Sequence, residues 1–299
     1  MQQIIQQTKS LSGYKPPLAF GIAKAHFSQK NPDEILSLDY MSVNWRENED
    51  AAAVFLHYLH AQGAVDFTSE VVARFSPEFV DFCAKTFGDL TKDPSHKNAH
   101  IVGLLNGEDE LSVSEQYDKL LKTQREERNA KVVFCAIFDD SAPKSVASAY
   151  LKLYAMSLQK VAPRSINLDG VFGLLKNLAW SANEPIELDY LRENEAKLKL
   201  NGRYPRIDFI DKFPRFLMHI IPADNTRILD ASKVRFGAHI ADGTTIMPGA
   251  SYVNFNAGTL GVSMVEGRIS SSAVVGNGSD VGGGASILGV LSGTDGNAI

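Results

Sequence analysis

Apolar positions along this chain follow two different rules, and the change falls near Pro222. Before it, Glu49 to His60 (EDAAAVFLHYLH) places Ala51, Val54, Phe55, Tyr58 and Leu59 at helical spacing, with Gly63 beyond as a stop. Ser112 and Glu115 form a capping box that predicts a helix running through Leu121. Lys131 to Phe138 (KVVFCAIF) is β-branched and aromatic, as a buried strand requires. Ser145 to Lys160 and Val171 to Trp180 read as helices. Charges then crowd Tyr190 to Arg206, and Pro205, Pro214 and Pro222 punctuate the way out. Residues 1–222 are therefore expected to form a mixed α+β domain.

After Pro222, Ile228, Val234, Ile240, Ile246 and Tyr252 recur every six residues. The period resumes at Ile269, Val275, Val281 and Ile287, passes over Gly293 and returns at Ile299. The filling is small and polar (IADGTT, VGNGSD, VGGGAS), which a long regular strand does not tolerate. A hexapeptide solenoid accounts for both features: each flat side of a triangular coil points one aliphatic residue inward, and three sides make a coil of about 18 residues. The expected fold for residues 223–299 is a left-handed parallel β-helix. Seventeen residues separate Tyr252 from Ile269, one short of a whole coil, so VNFNAGTLGVSMVEGR must hold a bulge or small loop. Insertions in solenoids map to one face, often the functional one. The chain stops at the on-phase Ile299 with no capping element, so the coil is expected to be truncated, with the natural protein continuing beyond it.

Composition narrows the function classes. Hydrophobic content of 44% and charged content of 22% are those of a soluble globular protein. A net charge of −5 gives no overall attraction to nucleic acid or an anionic membrane, so anionic substrates would need a local basic patch. Cys83 and Cys135 lie in apolar runs with no CxxC or Cys/His cluster, which predicts buried free thiols and a reducing, cytoplasmic setting. The start, MQQIIQQTKS, lacks a signal-peptide core, and no apolar stretch approaches the ~20 residues of a membrane span.

The motifs DKFPR (Asp211 to Arg215), VRFGAHIADGTTIMPGASYVNFNAGTLG, SMVEGRIS, VVGNGSDVGGGAS and ILGVLSG together resemble the tetrahydrodipicolinate N-succinyltransferase family, in its longer actinobacterial and Campylobacter-like form. These motifs cover roughly residues 211–299; the first 200 residues agree only in being mixed α/β. The resemblance implies transfer of a succinyl group from succinyl-CoA, as co-substrate, to ring-opened tetrahydrodipicolinate in diaminopimelate and lysine biosynthesis. It implies a homotrimer with active sites between neighbouring β-helices. Glu266 matches the catalytic glutamate, and Gly289 the glycine whose N–H faces the acyl oxygen. Arg268, Gly283 and Ser286 match positions that contact succinyl-CoA. Actinobacterial members hold magnesium on the trimer axis with an acidic pair. Lys233 and Ala250 stand there by register, so no equivalent metal is expected.

The residues themselves allow several readings. Making an amide from a thioester needs a deprotonated amine and a stabilised oxyanion. Glu266 can act as general base or attack first and carry the acyl group as an anhydride; as a bare sequence feature it is equally a solvated loop glutamate. Arg268, two residues on, points the same way on extended backbone and can bind a carboxylate bidentately, or simply pair with Glu266 at the surface. Val281 to Ser286 allows close backbone approach and also supplies corner glycines. Asn254 and Asn256 fit a stack inside the bend or a substrate contact. His239 precedes an inward position and is expected to point outward. His57 and His60 lie on one helix with no third ligand, a helix surface.

Two other functions compete. A hexapeptide acyltransferase for a sugar nucleotide or serine would depend on His239 and not Glu266. A non-enzymatic β-helix adaptor would gain no thermal protection from CoA esters. A carbonic-anhydrase-like β-helix needs three histidines, and after Pro222 only His239 is present.

Overall fold

The computed structural model describes residues 1–111 and 114–289, and these divide into two compact units. The first comprises Met1–Phe27 and Ser37–Ser141. Its sheet runs in the order Ile35–Trp45, Ala19–Phe27, Val132–Ile137, Val71–Arg74, the last three antiparallel to their neighbours. The expected strand at 131–138 is thus its buried heart, every residue of Val132–Ile137 being inaccessible. Phe55, from the helix Glu49–Ala61, fills the core against Phe75, Phe79, Phe87 and Phe134 at centroid distances of 5.0–6.2 Å. Of the expected capping box, Ser112 lies outside the described residues. The helix Glu115–Asn129 starts on Ser114, whose hydroxyl accepts from the Tyr117 N–H.

The second unit comprises Ser28–Leu36 and Ala142–Ile299, and its coil is the expected β-helix. The helix Val146–Ser157 is buried along its length. It packs on the first turn of the coil: Ser157 accepts from the Gly237 N–H, and Tyr154 meets Phe236 edge-on at 4.8 Å. Where a helix was expected over 171–180, only Val171–Leu174 is helical. The rest turns into the strand Leu178–Ser181, paired on both edges by Glu184–Glu187 and Phe209–Asp211. Trp180 explains the switch: it needs a sheet face to bury against, and it is fully enclosed with its indole N–H on the Asp211 carbonyl.

From Arg227 the chain winds into three stacks of short parallel strands. One side carries Arg227–Ile228, Thr245–Ile246, Ser263–Val265 and Ser279–Val281. The second carries Tyr252–Val253, Arg268–Ile269 and Ser286–Ile287, and the third Gly258–Thr259 and Val274–Val275. Val234, Ile240, Ile246, Ile269, Val275 and Val281 are all buried in the interior, as the six-residue period requires.

The phase break differs from expectation. Val253, not Tyr252, is the inward residue: it pairs with Val234 and Ile269 and is fully buried, whereas Tyr252 is only partly so. Thr259 takes the next inward position, its hydroxyl 2.7 Å from that of Thr244 and accepting from the Ala241 N–H. Val265 follows in phase. The inward positions therefore run 246, 253, 259, 265, 269, which is one residue added at Met247–Tyr252 and two removed at Glu266–Arg268.

A recessed corner of the coil as candidate active site

Each turn of the coil passes from the first side to the second through a corner, and three successive corners differ in length. Between inward residues lie six residues (Met247–Tyr252), then three (Glu266–Arg268), then five (Gly282–Ser286). The middle corner is therefore cut back between two longer ones. The backbone closes it tightly. The N–H groups of Glu266 and Gly267 both donate to the Val281 carbonyl, at 2.8 and 3.0 Å, and Arg268 N–H donates to Ala285. Only glycine fits at 267, because a Cβ there would lie 2.5 Å from the Ala285 carbonyl oxygen and 2.7 Å from that of Gly282.

The Glu266 and Arg268 side chains remain exposed on this corner. Glu266 lies against Gly283, its carboxylate 3.6 Å from where a Cβ would stand. Arg268 donates from Nε to the Ser286 hydroxyl at 3.0 Å. Among the described residues the two form no ion pair with each other, so the plain surface pair is not what the corner is for. Tyr252 lies in register below Arg268. Burial raises its phenol pKa, and the nearby Arg235 and Arg215 oppose that shift.

Four of the five expected site residues thus meet in one notch: Glu266, Arg268, Gly283 and Ser286. Gly289 does not join them. It packs on the next corner, where a Cβ would meet the Ser271 carbonyl oxygen and the Ala273 nitrogen. By register it stands five residues further along the same side than Glu266, roughly 16 Å at the ~3.3 Å rise of a parallel strand.

The remaining candidates have structural roles. His239, expected to point outward, is largely buried, with Nδ1 2.9 Å from the Thr259 carbonyl oxygen. Asn254 accepts from Arg235, and Asn256 links the Arg164 N–H to the Ser272 hydroxyl. His57 is bonded to Thr8 through Nδ1, and burial lowers its pKa. Lys233 donates to the Gly249 carbonyl at 2.7 Å, and Ala250 offers no ligand atom, so this pair does not fit a metal ion. Among the described residues no group of three His, Cys, Asp or Glu is placed to hold one.

What the sequence did not offer is the Asp211–Arg215–Arg235 cluster. Asp211 accepts from Arg215 at 3.0 Å and from Arg235 at 3.0–3.1 Å, fixing the entry to the coil beside Tyr252. The DKFPR motif contained two of its members, but the third lies twenty residues on.

Comparison with known proteins extends the picture to the part of the chain that motifs left blank. The family described as tetrahydrodipicolinate N-succinyltransferase matches with its N-terminal part over residues 1–173 and its middle part over 175–215. The first 215 residues thus carry a family signature, against the expectation that they add little. A 2,3,4,5-tetrahydropyridine-2,6-dicarboxylate N-succinyltransferase of Nitratiruptor is 54% identical over 99% of this chain and 72% of its own length. That of Campylobacter jejuni is 52% identical over 99% and 72%. A C. jejuni crystal structure described as a 2,3,4,5-tetrahydropyridine-2-carboxylate N-succinyltransferase superimposes with a TM-score of 0.87, at 51% identity, over all of this chain and 74% of that one.

Proposed function

This chain belongs to the tetrahydrodipicolinate N-succinyltransferase family, and we propose from that premise that Glu266 is the acyl-transfer residue at the recessed corner. The enzyme is an N-succinyltransferase of diaminopimelate and lysine biosynthesis, which implies succinyl-CoA as co-substrate. The amine nitrogen of the ring-opened acceptor attacks the thioester carbonyl. A C–N bond forms, the C–S bond breaks, and the proton lost by nitrogen ends on the CoA sulfur. Glu266 either takes that proton or first displaces CoA thiolate to form an anhydride that the amine then opens.

The observation that carries this reading is the shortened corner. It sets a carboxylate that has no ion-pair partner among the described residues beside a backbone strip of three glycines, along which a thioester can lie. Arg268 and Ser286, joined by their hydrogen bond, supply donors for the succinyl carboxylate or the pantetheine amides. Gly289, with an N–H for the acyl oxygen, stands too far along the same side to serve the same reacting carbon. A second copy of the chain, bringing its Gly289 corner to this Glu266 corner, would complete the site, in keeping with the homotrimer that the family resemblance implies. Residues 223–299 form the acyltransferase domain and 1–222 the mixed α/β domain in this assignment. No metal is assigned at Lys233 and Ala250. Buried free thiols at Cys83 and Cys135 fit a cytoplasmic enzyme; no helix among the described residues is long and apolar enough to cross a membrane.

The test is thiol release from succinyl-CoA with the acceptor, comparing wild type with Glu266→Gln. The change should lower kcat by about 10²–10⁴-fold while leaving succinyl-CoA binding in place. Full activity in the variant would remove Glu266 from the chemistry. Acyl transfer through His239 is disfavoured, since that ring is largely buried and its Nδ1 is engaged by the Thr259 carbonyl.

A further inference from the structure

Within the first compact unit, a recess of about 420 Å³ opens at one end of the sheet, between the sheet and the helix Lys97–Asn106. Its wall is apolar: Ile101, Leu105 and Val132 are buried, and Met41 and Leu104 are half-buried. The strand Ala19–Phe27 shows how the recess arises. Side chains alternate along a strand, so Phe20, Ile22 and Lys24 share a face. Phe20 and Ile22 join the core with Val132 and Phe134, but the next position on that face is a lysine. Lys24 is the one exposed residue of the strand, and it stands in register with Val132. A lysine carries its ammonium toward water, so the apolar layer ends open instead of closing.

Three exposed cations, Lys24, Arg128 and Lys131, stand at the mouth, and no described carboxylate lines it. In a chain with 35 acidic and 30 basic side chains, composition alone does not produce that grouping. Among the described residues neither the Lys24 nor the Lys131 ammonium has a hydrogen-bonding or ionic partner. Lys131 directly precedes the strand that pairs with Lys24, and its carbonyl accepts from the Ala25 N–H, so two like charges sit side by side uncompensated. Arg128 is held at the rim by its bond to the Leu104 carbonyl at 2.6 Å, and Asn129 donates to the Leu105 carbonyl at 2.7 Å. These bonds occupy carbonyls at the helix end that would otherwise repel an anion. An apolar well under uncompensated cations takes a ligand with an apolar body and one anionic head. Because Ile101, Leu105 and Val132 are recessed and not presented outward, a single chain entering end-on fits better than a flat lipid surface. Met41, whose unbranched thioether adapts to shape, gives that chain a compliant wall. The volume lies within the ~300–1,000 Å³ of small-molecule sites.

We propose that this recess binds a small amphiphilic carboxylate, of which a medium-chain fatty acid is the simplest, with its head among Lys24, Arg128 and Lys131 and its tail against Ile101, Leu105 and Val132. The site is separate from the acyl-transfer corner and stands or falls without it. Decanoate, kept below its micelle-forming concentration, is the probe. Calorimetric titration should give saturable one-to-one binding. The double variant Lys24→Gln/Lys131→Gln should weaken it about tenfold or more. Its thermal midpoint should match wild type, because both side chains are exposed. Decyltrimethylammonium, with the same tail and the opposite charge, should not bind. Methionine-methyl NMR locates the ligand: the Met41 signal, identified by its loss in Met41→Leu, should shift with decanoate while those of the other five methionines stay in place. No saturable binding, equal binding of the ammonium probe, or undiminished binding by the double variant overturns the proposal. So does a Met41 signal that ignores bound decanoate, or one that moves when protein concentration alone is raised, which would seat a second copy there. Sedimentation with phosphatidylglycerol vesicles without binding of free decanoate would make the patch a membrane contact, and overturns it too.

Discussion

Gly267→Ala probes the recessed corner most directly, because it adds one methyl group at the point where two turns of the coil press closest. The new Cβ would sit 2.5 Å from the Ala285 carbonyl oxygen, 2.7 Å from that of Gly282 and 3.0 Å from Val281 Cγ1. Two of these are backbone atoms, and contacts under 3.0 Å are essentially never seen for real Cβ atoms. No rotamer can relieve them, so the corner itself must move. Overpacking of this kind costs about 1–3 kcal/mol. At roughly 2–4 °C per kcal/mol for a unit of this size, a loss of ~2 kcal/mol lowers the melting midpoint by about 4–8 °C. The functional effect should be larger than the thermal one. The shift lifts Glu266 away from Gly283, and a displacement of ~1 Å at a reacting group can cost about 10²-fold in rate. Gly276→Ala is the matched control outside the notch, since a Cβ there meets only the Ser279 hydroxyl at 3.9 Å. Scanning calorimetry and thiol release on the two variants give the answer. If Gly267→Ala melts and turns over like Gly276→Ala, the corner is not seated as argued, and the notch loses its role in holding Glu266.

Two further predictions rest on separate observations. Arg268→Lys keeps the charge but cannot reproduce the Nε bond to Ser286 with a planar fork, so the succinyl-CoA KM should rise about tenfold while the thermal midpoint stays put; an unchanged KM would free Arg268 from the acyl donor. Burial pushes the Cys135 thiol up to about 12 and the Cys83 thiol well above its usual value. Both should ignore a disulfide reagent in the native protein at pH 8 and react in denaturant. The unfolded chain loses these protons near pH 9 while the folded chain keeps them. Stability from the two thiols is therefore intact below pH 9 and falls above it, by up to ~1.4 kcal/mol per pH unit for each thiol, as pH rises towards 12. A urea midpoint that holds level between pH 9 and 10.5 would contradict the burial.

The coil was legible because its interior selects one side-chain class at one interval, and the same physics explains where the reading slipped. Tyr252 stood on the six-residue grid and looked inward, but the true inward residue is its neighbour Val253; sequence cannot tell two adjacent apolar residues apart when the corner before them has gained one residue. Thr259 was passed over because it is polar, although a hydroxyl satisfied by Thr244 and the Ala241 N–H is accepted inside. These two misreadings hid the pattern of the break: a net shortfall of one residue is an insertion of one and a deletion of two. The α/β part offered less. Ala19–Phe27 is buried on nearly every residue, so it carries no alternation to betray a strand. Leu178–Ser181 followed a short helical turn and was swallowed by its pattern.

That hidden deletion is the physical reason chemistry can reside on this coil. A solenoid with equal corners presents a flush wall, on which a glutamate would be a solvated side chain with nothing beside it. Removing two residues from one turn draws its backbone inward, while the turn above keeps the regular length and the turn below is one residue longer, so that both overhang the gap. The overhang above is built of glycines, which leave room for a ligand and point peptide groups at it. The two hydrogen bonds donated by the Glu266 and Gly267 N–H groups to the Val281 carbonyl, and the absence of a Cβ at 267, hold the shortened turn in place. Two residues inserted between Gly267 and Arg268 should therefore leave the coil folded, because loops on solenoids tolerate length changes, yet abolish transfer by returning Glu266 to the flush position.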